Sequence, residues 1–147
     1  MQHNTIDTTI IKEVRPDGSI LMRSTEVLEP TAHRLTGHLA HWAKVRPDKI
    51  FLAQPSRTTS DEWESLTYTE VFKKVINISQ ALLNRNLTTQ RPVVVLSGNS
   101  IEHALIALAC LHVGIPFSAL APAYSLRSVE FDKLKHIFRL LTPGLVF

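Results

Sequence analysis

Apolar positions are densest and most regular between Val93 and Phe147, and their spacing predicts a β-α-β-α-β unit. Val93-Val94-Val95-Leu96 is short, β-branched and uniformly apolar, as suits a strand buried on both faces of a parallel sheet. Ser97-Gly98-Asn99 is a polar turn in which Asn99 is expected to cap a helix, with Glu102 reaching back to the cap. Leu105, Leu108, Ala109 and His112–Val113 then recur at helical spacing until Gly114. Pro116 to Ala121 reads as a second strand. A second helix carries Phe131, Leu134, Ile137, Phe138 and Leu141 on one face and ends at Pro143-Gly144, before a third strand at Leu145-Val146-Phe147. Parallel strands joined by right-handed crossovers are the expected arrangement. A buried strand coinciding with the last residues implies a unit cut off in its third strand, so the chain reads as a fragment.

The pattern before this unit is weaker. Met1 to Val14 carries no periodic signal. Pro16-Asp17-Gly18-Ser19 marks a turn, Ile20-Leu21-Met22 a short strand, and Leu28-Glu29-Pro30 extended chain. A helix from Leu35 to Val45 places Leu35, Leu39, Trp42 and Ala43 on one stripe, and Arg46-Pro47-Asp48 closes it. Ile50-Phe51-Leu52-Ala53 and Trp63-Glu64-Ser65-Leu66 suggest antiparallel strands, joined by a polar loop too long for a tight hairpin. Thr67 and Glu70 have the spacing of a capping box. The helix they open shows Val71, Val75, Ile78 and Leu82 on one face and runs to about Asn86.

Composition narrows the function classes. Of the 147 residues 44% are hydrophobic and 20% charged, which is globular and not disordered. The net charge of +3 is spread without a basic stripe, so nucleic acid is not an expected partner. The single cysteine, Cys110, lies on an apolar helix face, where a buried and inert thiol is expected, and it precludes an internal disulfide. The N-terminus lacks a secretory signal. The longest apolar stretch, Ala104 to Val113, is far short of the roughly 20 residues of a membrane span. A cytoplasmic location without membrane partners is the expectation, and the sequons at Asn77 and Asn86 carry no meaning there.

Candidate chemistry is sparse. Ser97-Gly98-Asn99-Ser100 stands between a strand and a helix, where phosphates bind. It has one glycine, against the several of a dinucleotide fingerprint, and no Gly-Lys-Ser/Thr, so helix capping suffices to explain it. His38 and His41 lie one turn apart without an evident third metal ligand, and His103, His112 and His136 stand singly on predicted helices. The glutamates Glu62, Glu64, Glu70, Glu102 and Glu130 look exposed or capping. Tyr124, in Ala121-Pro122-Ala123-Tyr124-Ser125, follows the second strand at the sheet edge where ligands collect; it either lines a site or packs as a surface turn.

The order of motifs adds what the residues alone do not. LTYTEV at 66–71, SGNSIEHALIALACLHVGIPF at 97–117 and PAYS at 122–125 resemble the N-terminal region of adenylate-forming acyl-CoA synthetases, the AMP-binding superfamily. RPDGSILMRS at 15–24, RLTGHLAHWAKVRPDKIFLA at 34–53 and APAYSLRSVEFDKLKHIFRLLTPGLVF at 121–147 are similar to the feruloyl-CoA synthase group. Phe117, where tyrosine is usual, and Leu120-Ala121, in place of valine-serine, depart from it. The resemblance implies an N-terminal extension with a short strand over residues 1–33 and a partial AMP-binding domain over 34–147. It further implies, for a full-length protein, ATP with Mg2+ and CoA, an aromatic acid such as ferulate, an acyl-adenylate intermediate and an AMP-forming ligase reaction. The family's phosphate loop, adenylate motif, ribose-binding aspartate and C-terminal lysine match nothing in residues 1–147, so no catalytic, cofactor-binding or metal residue is assigned. The chain alone is therefore expected to be inactive. The alternative is a non-catalytic protein acting through binding or self-association at the exposed edge of the third strand.

Overall fold

The computed structural model describes residues 9–26, 30, 34–59 and 61–147. The chain divides into two compact units, residues 1–31 and Ala32–Phe147. Most of the expected extended stretch at Leu28-Glu29-Pro30 lies outside the described residues.

The first unit is an antiparallel hairpin of β1 (Ile10–Val14) and β2 (Ile20–Ser24), registered so that Val14 faces Ile20 and Ile10 faces Ser24. Its turn is the expected one. Gly18 takes φ of 83° and the Asp17 carboxylate accepts from the Ser19 backbone N–H at 2.9 Å. Strand β1 corrects the reading of Met1 to Val14 as signal-free. Ile10-Ile11-Lys12-Glu13-Val14 does not alternate cleanly, but pairing across the turn makes it a strand.

The second unit runs α1 (Thr36–Val45), β3 (Ile50–Pro55), β4 (Trp63–Thr67), α2 (Tyr68–Leu83), β5 (Val93–Val95), α3 (Ile101–Val113), β6 (Phe117–Ala119), a 3-10 turn (Pro122–Tyr124), α4 (Asp132–Leu141) and β7 (Leu145–Val146). β3 and β4 pair antiparallel, and β6-β5-β7 form a parallel sheet with β5 central. The expected β-α-β-α-β unit is thus present, and the fold is α/β.

Local chemistry explains the elements. Thr67 and Glu70 complete the capping box of α2: the Thr67 backbone N–H donates to Glu70 Oε2 at 2.8 Å, and the Glu70 N–H donates to Thr67 Oγ1 at 3.3 Å. Its buried stripe is Val71, Val75, Ser79 and Leu82, so Ser79 takes the place expected of Ile78, which is only half-buried. Ser79 Oγ donates to the Ala109 carbonyl of α3 at 3.3 Å, and two small residues thereby let α2 and α3 approach closely. At the other end of α3, Gly114 takes φ of 73°, the left-handed cap that glycine adopts without a Cβ penalty.

Val93, Val95, Leu105, Ala109, Cys110 and Ile115 form one core with Leu39 of α1 and Val71, Val75 and Leu82 of α2. Each valine, leucine and isoleucine among them contributes about 1.5–3 kcal/mol by leaving water. Val94 is equally buried but stands outside this cluster, as strand alternation requires. Right-handed crossovers running in opposite directions put α3 and α4 on opposite faces, so Val94 lies on the α4 side. The connection to β7 is tight. Arg91 donates from Nε to the Thr142 carbonyl and from Nη2 to that of Pro143, at 3.2 and 3.0 Å. A Cβ at Gly144 would come within 3.2 Å of the Arg91 carbonyl oxygen.

Candidate functional site

The carboxyl ends of β5 and β6 carry the loops that were candidates for chemistry. Between them lies a cavity of about 520 Å3 lined by residues including Ser97, Asn99, His103, Leu120, Pro122 and Arg127. Ser97 Oγ and His103 Nδ1 are 3.2 Å apart and partly buried, and the His103 ring meets Phe117 edge-on at 5.7 Å between centroids. Ser125 Oγ donates to the Leu96 carbonyl at 3.3 Å, tying the loop after β6 to the end of β5. The Ser97–His103 pair was not legible in the sequence. Ser97 lies in the turn and His103 a turn into the helix, and only the reversal of the chain brings them together.

Tyr124 is not among the residues lining this cavity. Its ring turns to α4, where Lys133 Nζ sits 5.7 Å from the ring centroid above a smaller depression lined also by Asp132, His136 and Ile137. Of the two roles open to Tyr124, the packed surface turn is the closer description.

The N-terminus of α3 differs from the expectation in its cap. Ser100 and not Asn99 is the cap residue, with Ser100 Oγ accepting from the His103 N–H at 3.1 Å. Asn and Ser cap comparably well. Glu102 does not reach back to Asn99. It pairs with Arg57 of the β3–β4 loop at 3.1 Å, and its carboxyl is held below the ordinary range chiefly by its own backbone N–H, then by Ser100 and Arg57.

Whether this terminus fits a phosphate is a question of free donors. Gln54 Oε1 accepts from the Ile101 N–H at 2.8 Å, and Ser100 Oγ takes that of His103. A helix dipole favours an anion by about 0.3–1 kcal/mol. Glu102 is paired with Arg57 at 3.1 Å, so the two side chains together add little net charge here. Two of the first three backbone N–H groups of α3 are thus committed to side chains of this chain.

The other candidates are dispersed. His38 and His41 are both exposed on α1, and among the described residues no group of three or more His, Cys, Asp or Glu is placed to hold a metal. Cys110 is fully buried, and burial pushes its thiol up to about 11. No helix among the described residues is long and apolar enough to cross a membrane.

Against this geometry the comparisons are specific. A family model described as AMP-binding enzyme matches residues 39–147, well over half of the chain. The chain belongs to this family. The fatty acyl-adenylate ligase from L. pneumophila, solved with acyl adenylate and pyrophosphate, superposes with a TM-score of 0.68 at 18% identity, covering 78% of this chain and 19% of its own. The luciferase-like enzyme of the nonluminescent mealworm Zophobas morio gives 0.62 at 21% identity, covering 82% and 27%. Such likenesses establish the fold: residues of the second unit adopt the arrangement of AMP-binding enzymes. The chain spans between about a fifth and a quarter of the length of these structures. Among curated proteins none matches the chain.

Proposed function

We propose that this chain is the N-terminal scaffold of an ATP-dependent acid–CoA ligase of the feruloyl-CoA synthase type, and that it does not form an adenylate by itself. The match of residues 39–147 to the AMP-binding enzyme model carries the reading. The motifs at 15–24, 34–53 and 121–147 support the hydroxycinnamate group within it. In the whole enzyme a carboxylate attacks the α-phosphate of ATP, and the CoA thiol then displaces AMP. Charge developing on phosphorus and its oxygens requires preorganised cationic donors. Within this chain, the helix terminus best placed to supply backbone donors gives those of Ile101 and His103 to Gln54 and Ser100. What the chain provides is the rigid β6-β5-β7 sheet and the loops at its carboxyl end.

The test is pyrophosphate release by the purified chain with ferulate, ATP and Mg2+. The expected result is none above a protein-free control; release that depends on ferulate overturns the scaffold reading. Reading the coding DNA beyond the Phe147 codon tests the ligase half. A frame continuing into a Ser/Thr/Gly-rich loop with its lysine supports it, and a longer product that activates fatty acids but not ferulate refutes the substrate.

A further inference from the structure

Two surface patches of the second unit, at opposite ends of the α2–α3 pair, complement one another. The first is an acidic knob. Trp63, the opening residue of β4, is 67% exposed, and Asp61, Glu62 and Glu64 flank it. Its loop is braced by Thr59 Oγ1 donating to Glu62 at 2.9 Å, Ser56 N–H donating to the Glu62 carbonyl at 2.8 Å, and Gln54 Nε2 donating to Glu64 at 2.9 Å. An exposed indole is a common interface anchor, and here carboxylates flank it.

The second patch is an open groove of about 550 Å3 between α2 and α3. Ile76, Leu83 and Leu111 line it, exposed at 38%, 51% and 49%. Arg34 and His112 close one end, Arg34 Nη1 donating to the His112 carbonyl at 3.4 Å, and no carboxylate lines the groove. The apolar floor suits an indole, and the cationic end suits carboxylates beside it.

These patches cannot meet within one unit. Gln54 and Arg57 bind residues 101 and 102, at the start of α3, whereas the groove is at Leu111–Gly114, at its end. About 1.5 Å per residue separates the two ends by roughly 15 Å. We propose that the groove receives Trp63 of a second copy of this chain, a head-to-tail contact between two different surfaces. It is distinct from pairing at the β7 edge.

Sedimentation velocity of the 147-residue chain over a concentration series tests it. The expected result is reversible association that weakens with salt, because carboxylates and Arg34 face one another. Trp63→Ala and Leu111→Glu, both at exposed positions, are each expected to weaken it on the order of 30-fold. Mixing the two variants is the decisive arm. The intact groove of the Trp63→Ala copy takes the intact Trp63 of the Leu111→Glu copy, so the mixture forms dimers that neither variant forms alone. Circular dichroism checks that both variants fold, and Leu83→Glu replaces Leu111→Glu if that one does not. A chain monomeric throughout the series, association indifferent to Trp63→Ala, or association removed by Val146→Lys with Trp63 intact each overturns the proposal.

Discussion

Whether the central strand is covered on both sides can be tested by one substitution. Val94→Thr keeps the shape of the side chain and exchanges a methyl for a hydroxyl at a position with 0% exposure. The neighbouring main chain offers it little. Val94 O accepts from the Phe147 N–H, Val93 N–H donates to the Pro116 carbonyl, and Val95 O accepts from the Leu120 N–H. A buried hydroxyl without a good partner costs about 1–3 kcal/mol. Val93→Thr, on the face that meets α3, should cost the same. Val129→Thr, at 93% exposure, should stay within about 0.5 kcal/mol of the parent.

The assay is urea unfolding followed by circular dichroism, with a shift in midpoint at constant slope as the signature of a stability change. The outcome turns on α4. Its apolar residues Leu134, Ile137, Phe138 and Leu141 are only half-buried, and none of its residues is fully buried. Val94 nevertheless has no exposure, so α4 must remain docked for the burial to persist. If Val93→Thr costs its full amount while Val94→Thr costs less than about 0.5 kcal/mol, water reaches the second face and the two-sided sheet is wrong.

Further outcomes follow from the caps and the thiol. Thr67→Ala removes a capping-box partner of α2 and should destabilise the chain by about 1 kcal/mol near neutral pH. Hydrogen bonds from the Thr67 backbone and side chain hold Glu70 below its ordinary value, so its contribution is present above the unfolded-state pKa and is lost as pH falls through the folded one. The stability gap between the parent and Glu70→Ala should therefore narrow in acid, and a gap independent of pH in urea titrations counts against the capping box. Cys110, with its thiol raised to about 11 by burial, should react with a disulfide reagent only as fast as the chain opens; immediate stoichiometric labelling in native buffer contradicts the core described above.

What was legible in the sequence divides along the line between local and distant causes. Val93-Val94-Val95, the Thr67–Glu70 box and the Gly114 stop are each decided within a few residues, and each stands where the pattern placed it. Strand β1 had a signal that went unused. A turn at Pro16–Ser19 followed by a strand implies a partner before the turn, even where Lys12-Glu13 breaks the alternation. Ser79 had none, because a hydroxyl on a core stripe is satisfied only by the Ala109 carbonyl 30 residues away.

The same division explains why the candidate site resisted reading. At the start of α3 the local sequence offers a small polar turn before a helix, which suits an anion and a cap equally well. The choice between them is made by Gln54, which is 47 residues distant and donates to Glu64 while accepting from Ile101. Glu102 is itself paired to the β3–β4 loop by Arg57. The hairpin thus turns a potential binding terminus into a fixed corner of the fold. The Ser97–His103 pair and the cavity beside Arg127 stand next to that corner. A part so braced is suited to hold a site whose reacting groups come from elsewhere, which is the role proposed for it.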